Sequence, residues 1–284
     1  MKKIVAVINA RMKSTRLPGK ALLPLAERSS LFHHFQRLSQ VKGIDCIYLA
    51  TSTDKENSPL IKEAEQLKLK IYIGAEEDIV ERYMEIGQKE SADAMIRCGC
   101  DKPLFSYDIA NIMVQTYTDD DLLFISDPVP AGLGIEIVST KAMEITHRHY
   151  HGTAISQYMR EKPHLFKLKP ISVDKLFQRP EYRFCLDTEE DYAFHKCIYD
   201  ELYDGTPIEP EKLLCFLDDN PSIGRLNQTV NTKEVNIYSQ SLNSRPVFSI
   251  YLGKEGKYLV LGRDDQPIPY MDFIDLVLDK ARWQ

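Results

Sequence analysis

The chain has 284 residues, 43% of them hydrophobic, enough to bury a full core as one large α/β domain or two smaller ones. Its formal net charge of −6 lacks the basic footprint of a general nucleic-acid binder, so an anionic ligand must meet a local cluster of cations. No apolar run is long enough to span a membrane, the stretch 4–8 after Met1, Lys2 and Lys3 is a strand's length rather than a leader's, and six cysteines without zinc-like spacing suit reduced thiols, so a cytoplasmic location is expected.

Apolar runs alternate with helix-period segments through the first half, the pattern of βαβ units around a mainly parallel sheet. Strands are expected at 4–8, 47–50, 71–73, 94–98 and 122–125. Between them lie helices near 31–38, from 58, over 78–88 and over 109–117. Ser29 or Ser30 can cap the helix that buries Leu31, Phe35 and Leu38, and Ser58 followed by Pro59 reads as the cap and first position of the helix carrying Leu60, Ala64 and Leu67. Beyond Pro128 the pattern loosens. Residues 135–138 and 182–186 read as strands, 153–159 as a helix, and an acidic helix is expected over 189–200. Residues 1–233 are read as the main domain and 234–284 as an extension, in which 247–252 and 258–261 form a hairpin around Gly253, Lys254, Glu255 and Gly256 ahead of a final helix.

Directly after the first strand, Arg11, Lys13, Arg16 and Lys20 place four cations in ten residues, at the carboxyl end of the sheet where open α/β folds bind ligands. Guanidinium forks, an ammonium and the hydroxyls of Ser14 and Thr15 are the groups that neutralise and hydrogen-bond phosphate oxygens; a solvated surface loop is the bland alternative. Asp101 and Asp187 each follow an expected strand, where carboxylates converge to hold magnesium, although a turn former and a helix cap account for them equally well. Thr51, Ser52 and Thr53 follow the second strand and offer hydroxyls to a base edge, with a simple turn as competitor. His147, His149 and His151, taken together, match no standard metal-ligand spacing.

The stretch Ala10, Arg11, Ser14, Thr15, Arg16, Leu17, Pro18, Gly19, Lys20 resembles the signature loop of the bacterial sugar-acid cytidylyltransferases, and most of all the spore coat polysaccharide subgroup. The segment from Gly74 to Tyr83, with Asp78 and Arg82, is similar to a marker of that subgroup, and further likeness runs through Asp101, Lys102, Pro103, Leu104, then Pro130 to Ile137, Asp187 to Asp191, and Leu217 to Pro221. It covers about four-fifths of the chain and leaves the tail unmatched, open to a role as oligomer contact, acceptor lid or partner module. The chain departs from the pattern at Lys13, Cys100 and Gly134, where the family carries glycine, glycine and aspartate.

The resemblance implies an α/β, Rossmann-like nucleotidyltransferase with a mainly parallel mixed sheet and a small C-terminal extension. It implies CTP as donor, a small acidic or sugar-derived acceptor, and Mg2+ on Asp101 and Asp187. Arg11, Arg16 and Lys20 are then the catalytic cations. Ala10, Ser14, Thr15, Thr51, Ser52, Thr53 and Asp101 are expected around the nucleotide, and Glu136, His151 and Arg82 on the acceptor side. No nucleic-acid or membrane partner is expected, and a homodimer is the default. The rivals are a glycosyltransferase of related fold that consumes a nucleotide-sugar, opposed by an acidic cluster at 119–121 that precedes a strand instead of ending one, and a non-catalytic nucleotide-binding protein.

Overall fold

The computed structural model describes residues 2–230 and, beyond them, the backbone of four short strands. The chain divides into two compact units, Met1–Val230 and Asn231–Gln284.

In the first unit, β1 (Ile4–Asn9) is an interior strand, apolar on both faces because both are covered. Two minimal strands, β2 (Pro24–Leu25) and β3 (Arg28–Ser29), form a separate hairpin that leads into α1 (Ser30–Leu38). There follow β4 (Cys46–Ser52), α2 (Ser58–Gln66), β5 (Lys70–Gly74), α3 (Ile79–Glu90), β6 (Ala94–Gly99), α4 (Tyr107–Thr116), β7 (Leu122–Ile125), β8 (Glu136–Ser139), α5 (Thr140–His147), α6 (Ile155–Arg160), β9 (Leu168–Ile171), α7 (Glu189–Leu202), α8 (Pro210–Asp219) and the short α9 (Pro221–Gly224). Seven strands form one sheet in the order β5-β4-β1-β6-β8-β7-β9. Only β8 runs antiparallel to its neighbours, so the sheet is mixed but mainly parallel.

Alternation along β1 divides the core between the two faces. Ile4, Ala6 and Ile8 join Leu31 and Leu38 of α1, Leu60 of α2, Ile109 and Met113 of α4, Phe194 and Ile198 of α7 and Leu213 of α8. Val5 and Val7 join Val80, Tyr83 and Ile86 of α3, Ala142 and Met143 of α5, and Ile155 and Met159 of α6. The result is a sheet with helices on both faces and one end of its parallel strands, the carboxyl end, left to loops.

Several local expectations change. Ser29 is the cap of α1, its hydroxyl accepting from Phe32 N at 3.0 Å. Ser58 is the first helical residue of α2 rather than its cap; Asn57 occupies the cap position and commits its amide to Ser52 and its carbonyl oxygen to Met12 N. Residues 182–186 are not a strand of the sheet. They run beside Ala131 in a single bridge, with Phe184 N donating to Ala131 O and Leu186 N to Asp101 O at 2.7 Å. Helix α5 and strand β9 lie in segments where no element is expected from the sequence.

In the second unit, β10 (Val235–Asn236), β11 (Ser249–Leu252), β12 (Tyr258–Leu261) and β13 (Pro267–Ile268) form an antiparallel sheet in that order. The hairpin expected around residues 253–256 corresponds to β11 and β12, which pair with Ile250 opposite Val260. The final helix expected after it lies outside the described residues. No helix among the described residues is long and apolar enough to cross a membrane.

Candidate active site

The loop after β1 is anchored to the protein through its backbone and Leu17, while Arg11, Lys13, Thr15, Arg16 and Pro18 remain exposed. Leu17 is buried as its anchor, Ala10 N donates to Ala50 O at 3.0 Å, Met12 N to Asn57 Oδ1 at 2.8 Å, and Gly19 N back to Met12 O at 2.9 Å. Gly19 adopts φ +70°, a left-handed conformation that closes the turn and presents Lys20. With its backbone fixed, the loop holds its cations in separate directions. Arg11 pairs with Glu76 at 3.4 Å, Lys13 with Asp54, and Arg16 with Asp187 at 3.0 Å. Ser14 is partly buried and Thr15 exposed beside them.

Lys20 is the point on which the two aspartates converge. Its Nζ lies 2.7 Å from Asp187 Oδ1 and 3.8 Å from Asp101 Oδ2. Burial lowers the affinity of this amine for its proton, but the Asp101 and Asp187 carboxylates outweigh that effect and leave the Lys20 pKa raised. Burial likewise opposes ionisation of Asp187, yet Lys20, Arg16 and Arg183 together hold its carboxyl below the usual value. Asp101 Oδ1 is buried with no hydrogen-bond partner. Two carboxylates from different loops, one with an orphaned oxygen, form a set of hard oxygen donors that fits a hard divalent cation. Asp101 and Asp187 would hold it.

A second layer fixes these carboxylates, and the sequence reading assigns none of its residues. Asp191, fully buried in the first turn of α7, accepts from Arg183 Nε at 2.9 Å and Nη2 at 3.1 Å, from Asn227 at 2.9 Å, and from the backbone amides of Asp187 and Thr188 at 3.0 and 3.2 Å. Thr188 and Asp191 cap α7 reciprocally, so the turn that carries Asp187 is locked to the helix start. Arg183 Nη2 also reaches Asp187 Oδ2 at 3.1 Å. The spacing Thr188-x-x-Asp191 is a capping-box signal available in the sequence; Arg183 and Asn227 carry no such signal. On the other side, His34 of α1 donates from Nδ1 to Ser30 O and accepts at Nε2 from Lys102 N at 3.1 Å, pinning the turn of Asp101. Cys100 is buried in the core without a left-handed φ, so the turn forms without needing glycine there.

Gly132 has φ +91°, and a Cβ there would come within 2.7 Å of the Phe184 carbonyl carbon, so only glycine lets the 130–134 loop pass so close to 182–186. At Gly134 an added Cβ would meet Ile125 Cδ1 at 2.5 Å, so a side chain there requires the Ile125 side chain to shift. Glu136, at the start of β8, accepts from Arg97 Nη1 at 2.6 Å and from Ser156. Its burial favours the neutral acid, but Arg97 and Lys102 overcome this and keep the pKa lowered. Arg82 is 1% exposed and donates to Asn9 Oδ1 at 2.9 Å and Glu76 O at 3.2 Å, behind the loop cations rather than in the open. Thr51 and Ser52 are buried at the end of β4, Ser52 bonded to Asn57 and the Thr51 hydroxyl without a partner, while Thr53 is exposed. His151 lies against Asp78, at 2.7 Å. The acidic cluster 119–121 precedes β7 at the opposite end of the sheet, where Asp120 pairs with Lys169 and Asp121 accepts from Ser139 and Lys167 N.

Several known proteins are similar to this chain in sequence and fold. The chain is 29% identical over 237 residues to the spore coat polysaccharide biosynthesis protein SpsF of Bacillus subtilis, covering 78% of this chain and 96% of that one. Over 126 residues it is 31% identical to the 3-deoxy-manno-octulosonate cytidylyltransferase of Escherichia coli, covering 43% and 49%. The solved structure of a cytidylyltransferase from Leptospira borgpetersenii superposes with a TM-score of 0.74 at 25% identity, covering 82% of this chain and all of the other. The sequence pattern of the cytidylyltransferases matches residues 5–242, and the chain belongs to that family.

Proposed function

We propose that the chain transfers the cytidylyl group of CTP to an oxygen of a sugar acid or similar acidic acceptor, releasing pyrophosphate, in polysaccharide or glycoconjugate synthesis. The observation that carries this reading is the convergence of Asp101 and Asp187 on Lys20 beside a folded loop of arginines. Magnesium held by Asp101 and Asp187 would neutralise charge on the phosphates.

The chain's own residues supply the rest. Lys20, kept protonated by its two carboxylates, delivers a fixed positive charge where pyrophosphate leaves. Arg11 and Arg16 offer planar forks to the outer phosphates in exchange for their carboxylate partners. Arg82 positions Asn9 and the Glu76 backbone and so the base of this loop. Ala10, Ser14, Thr15, Thr51, Ser52 and Thr53 surround the nucleotide. Glu136, ionised and braced by Arg97, contacts the acceptor and orients its oxygen for in-line attack. The octulosonate named for the Escherichia relative motivates the acidic class chosen here, and the polysaccharide biosynthesis named for the Bacillus relative motivates the pathway class.

Equilibrium binding tests the donor. Titration of each nucleoside triphosphate with Mg2+ is expected to favour CTP, and Lys20→Met to weaken it. Equal affinity for all four, unaffected by that substitution, would remove the nucleotide assignment.

A further inference from the structure

Among the described residues, Asp78, His147 and His151 form a cluster of potential metal-ligand atoms away from Lys20. Asp78 caps α3, its Oδ1 accepting from Glu81 N at 2.9 Å, which fixes the carboxylate and leaves Oδ2 pointing away from the helix. His147 ends α5, and His151 follows four residues later. His151 Nδ1 lies 2.7 Å and His147 Nδ1 3.4 Å from Asp78 Oδ2. The rings are 5.0 Å apart and nearly perpendicular at 86°, so both nitrogens reach one oxygen from different directions without stacking. His147 Nδ1 is buried and makes no hydrogen bond, although a carboxylate faces it. All three donor atoms fall within 4.8 Å of one another.

We propose that Asp78, His147 and His151 form a site for a zinc-class transition-metal cation, distinct from the magnesium site. Two imidazoles and a carboxylate are borderline donors that select zinc-like ions over magnesium. A tetrahedral ion with bonds of about 2.0–2.1 Å needs its donors roughly 3.3 Å apart. The His147–Asp78 separation of 3.4 Å already meets that, and the His151–Asp78 pair has to open from 2.7 Å by a modest rotation of a half-exposed ring. The cation would satisfy His147 Nδ1 and leave a fourth position open. It would tie the end of α5 and the 148–154 segment to the start of α3, whose Arg82 and preceding Glu76 brace the Arg11 loop.

The test uses zinc alone, so its outcome is independent of the cytidylyl reaction. The full chain, carrying Asp101→Asn and Asp187→Asn to silence the oxygen site, is stripped with a chelator and titrated with Zn2+ against a chromophoric competitor. The expected result is one tightly held zinc per chain. Outer-shell changes at zinc sites cost about 10–100-fold in affinity, so His151→Ala should lose at least tenfold and the His147→Ala, His151→Ala pair should lose the site. Asp78→Asn preserves the helix cap yet removes the anionic ligand, and should weaken binding with the far-UV spectrum unchanged. Zinc uptake by the double-histidine variant equal to that of its parent, or no uptake by the parent, would overturn the proposal and leave the triad as a hydrogen-bonded pair with a neighbouring histidine.

Discussion

Asp191→Ala tests the idea that a buried carboxylate, itself remote from substrate, holds the catalytic turn. The substitution removes five hydrogen bonds at once: two from Arg183, one from Asn227, and those from the amides of Asp187 and Thr188. Asp191 is 0% exposed and Arg183 only 8%, so water cannot replace the lost partner. Breaking one partner from a buried ion pair typically costs about 3–5 kcal/mol, because the remaining charge stays desolvated. For a unit of this size each kcal/mol moves the melting temperature by roughly 2–4 °C, giving a fall of roughly 6–20 °C. Urea melts of the wild type and variant, read at equal m, measure it. Arg183 also has Asp187 Oδ2 at 3.1 Å and will turn fully onto it, so turnover should fall even where the variant is folded. A loss of under about 1 kcal/mol, well below that buried-pair range, would refute the reasoning, as would unchanged turnover.

Lys20→Met should lower kcat by about 10²–10³, the usual cost of one preorganised donor at developing charge, with the fold retained in circular dichroism. Gly132→Ala forces a side chain into φ +91° against the Phe184 backbone at 2.7 Å and should cost about 1–3 kcal/mol in a denaturant melt. His33 and His34 are buried, which pushes both pKa values down from 6.5 to about 4. The unfolded chain therefore takes up protons as pH falls below 6.5 while the folded one does not until about 4, so their stability is fully present above 6.5 and is lost as pH falls across that interval. Melting temperature should decline from pH 7 to pH 5, and His34→Gln should flatten the decline; an unchanged slope in that variant would count against the assignment.

The parts legible in the sequence are those encoded locally. Strand β1 reads as buried because five consecutive apolar residues, Ile4 to Ile8, need two covered faces, and the cations of the following loop then fall at the carboxyl end of the sheet by topology alone. Asp101 and Asp187 could be singled out by their positions after apolar runs, although only the fold brings them both to Lys20 across more than eighty residues of chain. The partners of Asp191 were invisible for the same reason: nothing in the local sequence of Arg183 or Asn227 points to Asp191. Apolar Phe184 and Leu186 suggest a strand, but Arg183 turns inward to Asp191 and the backbone bonds to Ala131 and Asp101 instead of a sheet neighbour. Lys169 and Pro170 disguise β9, which tolerates them because it is the sheet edge. Helix α5 buries only Ala142, Met143 and Thr146, too short a stripe to announce itself. The meeting of Asp78 with His147 and His151 depends on the packing of α3 against α5 and has no signature along the chain.

The most direct test of the account is pyrophosphate release with Mg2+, each of the four nucleoside triphosphates and a panel of sugar acids and phosphorylated or phosphonate alcohols, run beside Asp187→Asn. Release with CTP and one acidic acceptor class, abolished in Asp187→Asn, is the predicted result. Release that survives unchanged in Asp187→Asn, or that proceeds equally well with any triphosphate, would contradict the assignment of the Asp101, Asp187 and Lys20 cluster as a cytidylyl-transfer site.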